Sequence, residues 1–277
     1  MLFTRKITLL LVFISMITFF ACNKFPYAAS NQIYHQQQSL LIKKLKESPG
    51  MQIIDQLPKA KDWVGTTNFD LRKPNFVVIH HTAQNSCEQT LKTFTLERTK
   101  VSAHYVICKD GTIHHMLNDY FRAWHGGVAK WGNNTDINSS SIGIELDNNG
   151  FEPFDTAQIN SLLLLLAQLK ETYKIPLNNF IGHGDIAPGR KVDPNVQFPW
   201  IQLAKNGFGA WFEPSLTDSL PTGLSIPLAI SMVGYDIKDT NTAILAFKRH
   251  FRQDSTATMN DADKSVLSQL IKNKLSH

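Results

Sequence analysis

Apolar runs of strand length alternate with helical periodicities along most of this chain. Phe76 to Ile79 is a short continuous apolar run that predicts a buried strand, with His80-His81-Thr82 at its end. Cys87 to Thr95 has the helix-like spacing of Leu91 and Phe94. His104 to Cys108 and Thr112 to Met116 flank Lys109-Asp110-Gly111, a hairpin turn signal. Ser141 to Leu146 predicts another strand. Asp155 or Thr156 is placed to cap a helix to about Tyr173, with Ile159, Leu162, Leu163, Leu166 and Leu169 at helical spacing. Phe180-Ile181 then leads into a Gly-flanked turn at His183. Strands interspersed with helices, including a hairpin, predict an α/β fold: a central mixed β-sheet with packed helices.

The two ends read differently. Arg5 and Lys6 precede an apolar run, Ile7 to Phe20, that is shorter than the roughly 20 residues of a spanning helix. It closes on Phe19-Phe20-Ala21-Cys22, which is similar to the lipobox of bacterial lipoproteins, though Phe19 departs from the usual Leu. The expectation is a signal peptide over 1–21 and lipidation at Cys22. Residues 22–61 then read as a polar, Gln- and Ser-rich tether with one amphipathic stretch (Leu40, Leu41, Ile42, Leu45). Pro214 and Pro221, with Ser215, Thr217, Ser219 and Gly223 among them, mark a linker. Beyond it, 216–277 predicts three short helices: Ile226 to Val233, one capped by Asp239 or Thr240, and one starting at Asp261 or Asp263.

Composition narrows the class. A hydrophobic content of 43% and a charged content of 18% suit a folded protein with a sizeable core. The net charge of +5 is mild, and no Lys/Arg stripe interleaves with aromatics, so nucleic acid is excluded as the expected partner. Export implies an oxidising compartment. Cys87 and Cys108 remain beside Cys22; they could pair, but two cysteines set no framework, and free, partly buried thiols are the simpler expectation.

The candidate chemistry sits where apolar segments end. His80 ends one, His183 follows another, and Asp193 comes ten residues later, after Pro188 and Gly189. Two imidazoles and a carboxylate make a three-ligand zinc site with a position left for water. Glu145 is then free to move protons, and Lys191 to meet a developing oxyanion. Spacing alone makes only a modest case for zinc. His81, His114, His115 and His250 lack distinctive context and are read as non-ligands.

Longer motifs sharpen the picture. VVIHHTA, SAHYVICKDGTIHHM, RAWHGG, SSSIGIELDNNG and IGHGDIAPGRKVDPNVQFPW occur in order over roughly residues 72 to 212. In these the chain resembles the zinc-dependent N-acetylmuramoyl-L-alanine amidases of the amidase type 2 group, which share a fold with the peptidoglycan recognition proteins and phage T7 lysozyme. The resemblance implies a catalytic domain over 62–213 with one zinc ion on His80, His183 and Asp193. It implies Glu145 as acid/base and Lys191 as transition-state stabiliser. His104, Tyr105, Trp124, His125 and Arg190 are expected near the substrate groove, with Trp131 a further candidate. Asn195 departs from a frequent Gly after Asp-Pro, which affects local loop shape. The segment GYDIKD-TNTAILAFKRHFRQD resembles a three-helix peptidoglycan-binding domain; the plainer alternative is a helical cap packed on the catalytic part.

The implied activity is hydrolysis of the amide between N-acetylmuramic acid and L-alanine, in peptidoglycan or muropeptides, by a monomer facing the periplasm from the outer membrane. Two rivals stand beside it: a peptidoglycan sensor with little turnover, and a zinc peptidase cutting within the stem peptide.

Overall fold

The structure is a computed structural model that describes residues 25–46, 66, 68, 71 and 73–276. Cys22 and the expected signal peptide lie outside the described residues. The chain divides into two units, Met1–Asn68 and Phe69–His277. The first contains helix α1 (Ala28–Lys46), which has no buried residue; its Leu40, Leu41, Ile42 and Leu45 are all exposed. Among the described residues no helix is long and apolar enough to cross a membrane.

The second unit is built on β1 (Phe76–His81), β2 (Tyr105–Ile107), β3 (Ile113–His115), β4 (Ser141–Leu146) and β5 (Phe180–Gly182). They form one sheet in the order β3-β2-β4-β1-β5. All neighbours are parallel except the β2–β3 hairpin. That hairpin turns where the sequence predicts it. The Asp110 carboxylate accepts from the Thr112 amide at 2.9 Å, and Gly111 takes φ +87°. A Cβ on Gly111 would also lie 2.9 Å from the Ala157 carbonyl. The turn therefore requires glycine for both its backbone and its closeness to the next helix.

The helices of this unit are α2 (Cys87–Phe94), α3 (Thr156–Tyr173), α4 (His183–Ile186) and α5 (Trp200–Lys205), then α6 (Ile226–Val233), α7 (Thr240–Arg252) and α8 (Asp261–Leu275). Strand alternation decides which side chains meet which layer. Val77 and Ile79 of β1, with Ile142, Ile144 and Leu146 of β4, pack against Ile159, Leu162, Leu166 and Leu169 of α3. Val78 and Ile181 face the other way, toward Ile137, Ile186 and Ala187. His80 and Glu145 share this second face, because their strands pair Val78 with Gly143 and His80 with Glu145.

The three C-terminal helices fall within the predicted stretches and share a core of Ile230, Phe247, Phe251, Leu267 and Leu270. They belong to the same compact unit as the sheet. Buried Asp185 of α4 accepts from the Tyr235 hydroxyl at 2.9 Å and pairs with His250 Nδ1 of α7 at 2.7 Å. Cys87 and Cys108 form a disulfide with Cα atoms 5.3 Å apart, tying the start of α2 to the end of β2. This corrects the expectation of free thiols: tertiary proximity, invisible in the spacing, brings the two together.

Candidate active site

Because β1, β4 and β5 run parallel, their C-terminal ends share one edge of the sheet, where ligands sit in open α/β folds. His80 comes from β1 and Glu145 from the adjoining position of β4. Gly182 ends β5, and His183 opens α4 directly after it. The Gly184 amide donates to the Asp193 carbonyl at 2.6 Å, which folds the following loop back and returns Asp193 to the same edge.

Three atoms converge there. His80 Nδ1 lies 2.9 Å from His183 Nδ1, His183 Nδ1 3.0 Å from Asp193 Oδ2, and His80 Nδ1 3.1 Å from Asp193 Oδ2. All three residues are buried. His183 Nε2 faces the Gly126 carbonyl at 3.1 Å, with the Arg190 Nη2 donor farther off at 3.4 Å; the nearer carbonyl only accepts, which favours the hydrogen on Nε2 and the lone pair on Nδ1. Burial, and then the neighbouring His183, lower His80 to about 4, so its ring is neutral at neutral pH. Two imidazole nitrogens and a carboxylate oxygen packed this closely repel one another unless a cation or a ring hydrogen lies among them. The donor set suits a divalent metal.

Glu145 stands beside this cluster. Its Oε1 is 4.0 Å from His80 Nδ1, and its buried Oε2 has no hydrogen-bond partner. Burial first, and then the charge of Asp193, push the Glu145 carboxyl up to about 8, against the opposing pull of the Lys191 ammonium. Lys191 is half-buried and close enough to depress His80 as well. Trp124 and Val192, next in sequence to His125 and to Asp193, are 49% and 57% exposed.

Of the residues expected near the groove, His104 and Tyr105 are turned into the fold, whereas His125 and Arg190 lie against the site histidines. His104 is fully buried, accepting from the Gly143 amide and facing the Phe121 carbonyl, both at 3.0 Å. Tyr105 points into the α3 core and donates to Asp119 at 2.9 Å. Both sit on or beside β2, which has a strand on each side, so neither reaches the surface. His125 is buried against the ring of His80. Trp131 packs on Tyr235 with ring centres 4.9 Å apart. Arg190 donates to the Gly126 and Val128 carbonyls at 2.6 and 2.7 Å, holding the loop that carries His125. Of the expected groove set, Trp124 and Arg190 are exposed. Asn195 donates to Asn148 and to the Glu152 carbonyl, both at 3.1 Å, so its side chain knits two loops where glycine would not. A second cluster, Cys87, Cys108 and His114, has both sulfurs in the disulfide. A cavity of about 490 Å³ lined by Phe76, Phe180 and Trp211 lies at the start of β1 and β5; Trp131 lines it, but His80, Glu145, His183, Lys191 and Asp193 do not.

Gly143 is a site residue that the reading of the sequence passed over. A Cβ there would lie 2.4 Å from His125 Cγ. A lone glycine inside a strand pattern is the signal that could have found it. Gly143→Ala is expected to displace the His125 ring and to destabilise the fold by about 1–3 kcal/mol, read from urea unfolding.

A parallel sheet edge carrying a buried metal-type triad and an unpartnered carboxyl defines a hydrolase-like site. The N-acetylmuramoyl-L-alanine amidase family model matches residues 70–196. The chain is 32% identical to the N-acetylmuramoyl-L-alanine amidase AmiD of Escherichia coli over 229 residues, covering 72% of this chain and 82% of that one. The chain belongs to the N-acetylmuramoyl-L-alanine amidase family. Its fold is similar to that of E. coli AmiD in complex with the substrate anhydro-N-acetylmuramic acid-L-Ala-D-gamma-Glu-L-Lys, with TM-score 0.66, 28% identity and coverage of 76% and 93% of the two chains. AmpDh3 of Pseudomonas aeruginosa, in complex with anhydromuramic pentapeptide, matches with TM-score 0.68, 27% identity and coverage of 79% and 99%.

Proposed function

We propose that this chain hydrolyses the amide joining N-acetylmuramic acid to L-alanine in muropeptides or peptidoglycan, using one zinc ion held by His80, His183 and Asp193. The observation that carries this reading is the three-acceptor cluster beside a buried carboxyl oxygen of Glu145 that has no partner. The donor set of two nitrogens and one oxygen fits zinc. Zinc bound there supplies Lewis acidity toward water and the scissile carbonyl.

The chain's own groups do the rest. Glu145 accepts a proton from the attacking water and returns it to the leaving nitrogen. Its raised pKa suits a group that must both take and give a proton near neutrality. Lys191 holds a positive charge where the oxyanion develops. Trp124 and Val192 offer apolar surface at the rim to a sugar or a peptide.

Incubation of purified protein with anhydro-muropeptides, followed by mass spectrometry, tests this reading. Free stem peptide beginning with L-alanine is expected. Absence of release with zinc present would favour a sensor, and cleavage that leaves peptide on the muramyl sugar would favour a peptidase. Asp193→Ala is expected to lose bound zinc by elemental analysis, because it removes the one anionic donor of the triad.

Export and acylation at Cys22 belong to the same proposal and rest on the leader sequence alone. They would place a monomer on the outer membrane facing the periplasm. Cys22→Ser is expected to move the protein from the membrane to the soluble fraction, checked by fractionation.

A further inference from the structure

His183 has its hydrogen placed by a backbone carbonyl, but His80 does not. Its Nε2 lies 3.0 Å from His125 Nδ1, and an imidazole nitrogen either donates or accepts. The answer comes from farther away. Ser141 Oγ lies 2.6 Å from the Ile137 carbonyl. Two oxygens this close repel unless a hydrogen joins them, and the carbonyl has none to give. The single hydroxyl hydrogen of Ser141 is therefore spent on Ile137.

Ser141 Oγ also lies 3.1 Å from His125 Nε2, so in that contact it accepts and His125 Nε2 carries hydrogen. The two ring nitrogens of His125 meet His80 and Ser141 and no carboxylate, and the ring is buried. A buried imidazolium without a counter-charge is disfavoured, so His125 is neutral and its Nδ1 is an acceptor. His80 Nε2 must then donate to it. The His80 hydrogen is fixed on Nε2, and the Nδ1 lone pair faces His183 and Asp193.

We propose that the relay from the Ile137 carbonyl through Ser141 and His125 sets the tautomer of His80, making His125 a positioning residue for the metal site. The proposal rests on the metal reading of the triad. Gly143 is part of the device, since only a residue without Cβ lets the His125 ring lie against β4. Outer partners of this kind typically change metal affinity by about 10–100-fold when removed.

The test separates the relay from the metal reading. Long-range nitrogen-15 NMR on the metal-free protein reports the tautomer of each imidazole. Wild-type His80 is expected with hydrogen on Nε2. His125→Leu removes the acceptor and is expected to give mixed His80 tautomers and at least tenfold weaker zinc binding in a chelator competition. His125→Asn places an amide oxygen where Nδ1 stood and is expected to restore both. A wild-type His80 bearing its hydrogen on Nδ1 would overturn the proposal. So would a His125→Leu protein with unchanged tautomer and zinc affinity, or His125→Asn behaving as poorly as His125→Leu. Zinc binding absent from every form, with the tautomer pattern as expected, would sink the metal reading and leave the relay standing.

Discussion

Glu145→Gln is expected to reduce turnover about 10²- to 10⁴-fold, the range carried by a positioned proton-transfer group. Its zinc content should stay at the wild-type level. The substitution keeps the volume and one oxygen of the side chain but removes its capacity to take a proton. Glu145 is not one of the three convergent atoms, and its Oε1 stands 4.0 Å from His80 Nδ1. The unpartnered Oε2 makes the effect clean, because replacing it breaks no internal hydrogen bond. Turnover is read from stem-peptide release and zinc from elemental analysis of the same preparation. Loss of zinc together with activity would reassign Glu145 to the metal shell. Retention of more than about a tenth of the rate would remove it from the proton transfer.

The second large effect lies outside the reacting atoms. Asp185→Ala is expected to cost about 3–5 kcal/mol of stability, because it strands several buried hydrogen-bonding groups at about 1–3 kcal/mol each. The Asp185 carboxylate accepts from the Gly182 amide at 2.7 Å as well as meeting Tyr235 and His250. Alanine would strand a buried hydroxyl, a buried imidazole nitrogen and the amide that precedes His183. The measurement is the urea midpoint of metal-free protein, so that zinc does not mask the change. A midpoint within experimental error of wild type would show that the C-terminal helices do not brace the His183 turn. A drop would instead favour the helical-cap alternative for 216–277, at least in its structural part.

The strands and helices were largely legible because burial imposes a period on the sequence. The continuous apolar run of β1 reflects a central strand covered on both faces, and Leu162, Leu166 and Leu169 of α3 mark the face that covers one of them. The convergence of His80, His183 and Asp193 was legible only with help from the family motifs, since a strand end, a helix start and a loop residue have no common spacing rule. The partnership of His80 with Glu145 is set by the register of two strands far apart in sequence. His125, Ser141 and Asp185 were not legible as supports. Their importance comes from single hydrogen bonds across the fold, and a His or Asp leaves the same local pattern whether it faces solvent or another ring. The burial of Tyr105 and His104 was hidden for the converse reason: polar tips in a short strand look exposed until the neighbouring strands are placed.

The disulfide has a practical consequence for thiol chemistry. The chain has three cysteines, and two of them are joined to each other. Any sulfhydryl that reacts with a maleimide in unreduced, denatured protein therefore belongs to Cys22 alone. If Cys22 is acylated as proposed, the labelling stoichiometry of a membrane-extracted sample reads out, in one number, the fraction of molecules whose Cys22 carries no thioether-linked lipid.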